Sequence, residues 1–132
     1  MNWLPMSWPK REALQLLALA FVYVGVQHFT GPESFVAIVP PYLPEPLLLV
    51  YVSGVAEIAG GIGVLIPRLR RLAGWGLLAL LAAVYPANIH MALHPELFPQ
   101  MTQTALYVRL PVQFVLAAWV WWATKPDAAG AR

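Results

Sequence analysis

The sequence predicts an all-α membrane protein: a bundle of four transmembrane helices with one short interfacial helix between spans one and two. Three observations carry this. The chain is 60% hydrophobic and 11% charged over 132 residues, with mean hydropathy +0.65, whereas a soluble domain carries about 25% charged residues. Its apolar residues gather into four runs, each long enough to cross a hydrocarbon layer about 30 Å thick. Its basic residues stand at the ends of those runs and form no patch of the kind that binds nucleic acid. With no cysteines, thiol exchange, thiolate metal sites and iron–sulfur clusters are excluded, while the redox compartment stays open. The length suits one membrane domain over 1–132, without room for a second.

The first span is placed at about 12–30. Trp3 and Trp8 precede it as rings suited to the headgroup layer. The run is long for a signal-peptide core, and no small-x-small cleavage site follows it. Residues 31–46, GPESFVAIVPPYLPEP, are interrupted by Pro40 and Pro41. Pro32 and Glu33 read as a first helical turn, with Phe35, Ile38 and Val39 as its apolar edge, so a short helix lying on the membrane surface is predicted. The second span, about 47–66, holds glycines at 54, 60, 61 and 63 with Ser53 and Ala59. Such a string permits close helix approach and offers a face for a second copy of the chain. It is not a phosphate loop, because it lies within an apolar span and has no lysine.

Arg68, Arg70 and Arg71 then make a basic turn. The third span, about 72–93, contains Pro86, which frees the Ala82 carbonyl. After a polar loop, the fourth span, about 105–123, contains Arg109, Pro111 and Gln113 and closes on Trp119, Trp121, Trp122 and Lys125, read as an interface anchor. The tail to Arg132 is expected to be disordered. Lys10, Arg11, Arg68, Arg70, Arg71, Lys125 and Arg132 all flank one side, whereas the opposite loops carry Glu33, Glu45 and Glu96 and no Lys or Arg. The positive-inside rule therefore places both termini in the cytoplasm. A weaker pattern pairs His28 and Pro32-Glu33-Ser34-Phe35 with His90 and Pro95-Glu96-Leu97-Phe98, as two repeated helix pairs would.

With this topology and roughly 1.5 Å of rise per residue, polar side chains from all four spans converge on the outer half of the bundle. His28 falls at the outer end of span one, and Glu57 about 15 Å below the start of span two. Asn88 and His90 lie in the outer half of span three, and Arg109 and Gln113, one turn apart on one face, in the outer half of span four. An acidic residue at mid-depth carries a penalty of roughly 2.5–3.5 kcal/mol on insertion scales, so Glu57 needs a partner or a task. Either Glu57 and Arg109 form a buried ion pair that fixes register, or they line a pocket in which Arg109 holds an anionic or carbonyl group. His28 is either satisfied by a loop carbonyl or exchanges protons at the pocket mouth. Asn88 and His90 point to different faces, and Asn88 is the one assigned to the centre. The candidate ligand-binding set is His28, Glu57, Asn88, Arg109 and Gln113. His28 and His90 alone are a thin ligand set for haem or a metal. No serine, histidine and carboxylate arrangement for acyl transfer occurs, and nothing points to catalysis by this chain alone.

The strings VQHF, PPYLPEP, YVSGVAEIAGGIGVLIPRLRRLAGWGLLALL, YPANIHMAL and RLPVQFVLAAWVWW resemble the DoxX-like family of small bacterial membrane proteins. The resemblance spans roughly residues 20–123. It implies a four-helix membrane protein associated with quinone-linked oxidoreductases or other membrane redox complexes, and it implies no catalytic role for the five polar positions. The absence of cysteine separates the chain from four-helix thiol–quinone reductases. The leading reading is an accessory or ligand-binding subunit for a quinone- or lipid-like molecule beside a membrane redox partner. A scaffold or assembly factor with a purely structural polar cluster is the alternative. A small proton-coupled transporter ranks below both, because the inner half of the spans offers no polar steps.

Overall fold

The computed structural model describes residues 8–126. Its elements are α1 (Trp8–Thr30), α2 (Pro32–Val36), α3 (Pro46–Leu65), α4 (Arg70–Leu93), a 3-10 turn (Pro95–Leu97) and α5 (Gln103–Thr124). Helices α1, α3, α4 and α5 are each long and apolar enough to cross a membrane. At most 33% of any of their most apolar windows is buried within the chain, so the outward surface is hydrophobic and needs lipid around it. Leu19, Leu72 and Leu93, for example, are each 70% exposed or more.

The boundaries have local causes. Pro32, Pro46 and Pro95 each stand in the opening turn of a helical element, where a missing N–H leaves nothing unsatisfied. Helix α5 opens on Thr102, whose hydroxyl accepts from the Ala105 N–H at 3.1 Å, an N-cap bond. The basic turn after α3 has a function of its own. Arg70 Nε donates to the Val64 carbonyl at 2.7 Å and Nη2 to Leu65 at 3.4 Å, so a cation closes the carbonyl end of the helix. Helices α4 and α5 run through Pro86 and Pro111 respectively.

One buried residue recurs every seven positions on each span: Leu14, Phe21 and His28; Val50, Glu57 and Val64; Gly74, Leu81 and Asn88; Leu106, Gln113 and Val120. That is the seam of a four-helix bundle. Helix α1 packs on α3, α3 on α4 and α4 on α5, while α1 and α5 close the ring with the fewest contacts. At the end of the bundle carrying Trp8 and Thr124, the terminal end, Leu14, Leu17, Phe21, Val64, Leu77 and Val120 form a continuous apolar core. At the opposite, distal end, Met91, Phe98 and Leu106 form a second cluster, joined by Ile38 and Met101. Between these two apolar plugs lie the buried polar residues His28, Glu57, Asn88 and Gln113.

The glycines of α3 are spent inside the chain. A Cβ on Gly54 would stand 2.7 Å from His28 Cβ and 3.1 Å from the Gly25 carbonyl oxygen, and one on Gly61 would stand 3.0 Å from the Ala18 oxygen. Gly60 and Gly63 face Leu77 and Ala73 of α4. The face expected to receive a second copy is thus occupied by α1 and α4. The short helix α2 is where the sequence places it, but its apolar edge turns inward: Phe35 lies against His28, and Ile38 packs on the distal cluster.

Candidate functional site

The close α1–α3 crossing brings His28 against Glu57. His28 Nδ1 lies 2.8 Å from the Val24 carbonyl oxygen, and Nε2 lies 3.0 Å from Glu57 Oε2. A carbonyl only accepts, so Nδ1 must carry the hydrogen. Nε2 and the carboxylate oxygen can then be bonded only if a proton stands between them. The pair is either imidazolium with carboxylate or neutral imidazole with carboxylic acid, and in both forms its net charge is zero. The side chains are 8% and 11% exposed, and sharing a proton avoids the desolvation penalty of a lone carboxylate. Phe35 stacks on the imidazole, with ring centroids 3.9 Å apart and planes at 22°.

Across the bundle, α4 and α5 carry a second network. Arg109 Nε donates to Asn88 Oδ1 at 3.1 Å, Asn88 Nδ2 donates to Gln113 Oε1 at 2.8 Å, and Gln113 Nε2 donates to the Leu81 carbonyl. The carbonyl at one end and the guanidinium at the other fix both amide orientations. Arg109 and Gln113, at i and i+4, present one face of α5 to this chain of bonds. The terminal guanidinium nitrogens of Arg109 have no hydrogen-bond or ion-pair partner among the described residues.

Both networks face one partly open cavity of about 290 Å³, lined by all four long helices and by Phe35 and Ile38. His28, Glu57, Asn88, Arg109 and Gln113 all line it. The remaining wall is apolar, with Phe21, Val24, Leu81, Val84 and Leu116 prominent. Its terminal-side floor includes Trp119, whose Nε1–H donates to the Ala13 carbonyl at 3.1 Å and ties α5 to α1.

Two expectations are corrected. Glu57 and Arg109 share the cavity but do not pair: the carboxylate is held by His28 and the guanidinium by Asn88. Opposite charge and similar depth along the helix axes favour that pairing, but neither fixes direction around the helix, and the Gly25–Gly54 crossing puts His28 nearer. His28 is satisfied by the carbonyl of its own helix, one turn back, and not by a loop. Asn88 faces the centre, whereas His90 packs against His94 and Phe98, at centroid distances of 4.7 and 6.3 Å, and does not line the cavity. Among the described residues no group of three His, Asp or Glu converges as metal ligands would.

Trp119 and Phe35 also line the site, beyond the five expected residues. The tryptophan stands apart from the anchor of Trp121 and Trp122, and its sequence signal is its spacing of three from Leu116, itself one turn on from Gln113. Phe35 and Phe98 each fold back on the histidine that ends the preceding span, a local correspondence between the two Pro-Glu-x-Phe turns.

Residues 17–124, which include parts of all four long helices, match the family model described as Domain of unknown function (DUF8561). No curated protein and no solved structure matches the chain.

Proposed function

The chain belongs to the DUF8561 family, and we propose that it is a membrane-embedded binding subunit for a quinone- or lipid-like molecule. The observation that carries this reading is the charge balance of the cavity. The His28–Glu57 pair is neutral in either protonation form, so among the described residues the guanidinium of Arg109 has no counter-ion in a largely apolar chamber. A fixed cation there calls for an anionic or carbonyl headgroup, and the apolar wall calls for a hydrophobic body. The resemblance to DoxX-like proteins supports a quinone as the ligand and a membrane redox complex as the partner. The resemblance also supports a bacterial inner membrane as the location, and the distribution of basic residues supports cytoplasmic termini, with the polar half of the bundle toward the outer face.

The test is binding in nanodiscs of synthetic phosphatidylcholine, read by quenching of tryptophan fluorescence, with decyl-chain ubiquinone and a fatty acid as separate probes. A charge-assisted hydrogen bond contributes roughly 1.5–3 kcal/mol, so Arg109→Gln should weaken binding about 10- to 100-fold. Failure of the native protein to bind either probe, or equal affinity in Arg109→Gln, overturns the proposal.

A scaffold reading has one observation in its favour. Among the described residues every buried polar side-chain atom already has a partner, so the cluster can be purely structural. On that reading Glu57→Gln with Arg109→Leu leaves partner binding intact.

A further inference from the structure

A second cavity, of about 270 Å³, lies on the other side of His28, between α3 and α4 and beneath the chain that follows α2. It shares five residues with the first: His28, Phe35, Ile38, Val84 and Ala87. The two chambers therefore back onto each other through a partition of side chains. The first takes most of its wall from α1, α4 and α5, and the second from α3, α4 and the chain after α2.

Their chemistry is complementary. The first chamber holds Glu57, Asn88, Arg109 and Gln113. The second is lined by Leu49, Val52, Leu80 and Ala83, and its hydroxyl, Ser53, donates to the Val50 carbonyl of its own helix at 3.0 Å. Small-molecule sites run from roughly 300 to 1,000 Å³, so each chamber alone falls just short of that range and the two joined fall within it. Two of the five partition residues, Phe35 and Ile38, lie outside the spans. Phe35 and Ile38 are half-buried and belong to a five-residue helix, and the segment following it, that has no side-chain cap. They can shift without displacing a transmembrane helix.

We infer that the two chambers are the head and tail compartments of one site, and that its ligand is a long-chain amphiphile whose tail passes the His28–Phe35 partition. This deepens the proposed binding function and rests on it. The headgroup meets Arg109, and the chain enters the chamber between α3 and α4.

The experiment compares two ubiquinone analogues with the same head, one with a methyl in place of the chain and one with a decyl chain, in phosphatidylcholine nanodiscs. A parallel pair, butyrate and palmitate, separates a carboxylate head from a quinone. Ala83→Phe and Ala56→Phe each fill the second chamber from an exposed position and leave the polar residues untouched. Each buried methylene contributes about 0.8 kcal/mol, so evicting even two or three lowers affinity by about ten-fold or more. The long-chain probe should lose at least that in both variants, while the short-chain probe changes less than about two-fold. Equal loss for both probes, or no loss for either, overturns the two-compartment site while leaving the headgroup site standing. Native protein that binds no probe of either pair overturns both.

Discussion

His28 and Glu57 form the part of this molecule whose chemistry is fixed most tightly by geometry. Because the Val24 carbonyl claims the Nδ1 hydrogen, the Nε2–Oε2 contact has to contain a proton. An amide can take over that bond by donating its N–H to Nε2, but a hydrocarbon cannot. Glu57→Gln should therefore lower stability by less than about 1 kcal/mol, whereas His28→Leu leaves a buried carboxyl without its partner and should cost roughly 1–3 kcal/mol. The double variant His28→Leu with Glu57→Leu should recover part of that loss, because neither partner is then orphaned. Unfolding midpoints from tryptophan fluorescence in mild detergent measure all three. If Glu57→Gln is as damaging as His28→Leu, the shared proton is not what holds these helices in register. The same accounting leaves Arg109 as the uncompensated charge, which is why the binding proposal rests on that residue and not on the acid that first draws the eye in the sequence.

At the scale of helices, position along the axis and direction around it were legible to different degrees. The four spans, the turn after α3 and the short helix after α1 follow from hydropathy and proline, and the distal placement of the polar residues follows from counting rise. The direction each residue faces does not. These helices are apolar on nearly every side, so no amphipathic stripe marks an inward face, and the seven-residue seam through Glu57 or Gln113 emerges only once the neighbours are in place. The glycines illustrate the limit: small residues announce a close crossing, but not whether α1 or a second chain comes close. The geometry now separates them. Gly54→Ala puts a methyl within 2.9 Å of Phe29 and against His28, while a Cβ on Gly76 meets nothing within 4 Å. Overpacking of this kind typically costs 1–3 kcal/mol, so Gly54→Ala should destabilise by about that much. Gly76→Ala should be neutral or stabilising, by up to about 1 kcal/mol of helix propensity. Matching effects in thermal unfolding would show that the α1–α3 approach is looser than described here.

For the molecule as a whole, the bundle is asymmetric along its axis. The terminal half has an apolar core and is latched, with Lys10 Nζ donating to the Lys125 carbonyl at 3.0 Å and Trp119 bonded to Ala13 across the α1–α5 seam. The distal half is polar, holds both cavities and is capped by Met91, Phe98 and Leu106. Which side of the membrane that half faces determines where a ligand or partner must approach. With four spanning helices, Trp8 and Thr124 stand at one end of the bundle, the end that carries Lys10, Arg11, Arg68, Arg70, Arg71 and Lys125. Fusion of a fluorescent protein to the C-terminus in a bacterial host should therefore give fluorescence, and fusion of alkaline phosphatase should give an inactive enzyme. The cause is testable as well. Arg70 holds the end of α3 and is kept, but Arg68 is exposed and Arg71 rests on the Trp75 ring at 4.9 Å, so both can become Gln without disturbing the bundle. That change alone should leave the orientation intact, since Lys10, Arg11, Arg70, Lys125 and Arg132 remain. Adding Glu33→Lys, Glu45→Lys and Glu96→Lys removes most of the asymmetry and should produce a mixed population with measurable phosphatase activity. Active phosphatase on the unmodified chain would invert the orientation and put the half of the bundle that holds Arg109 on the cytoplasmic side.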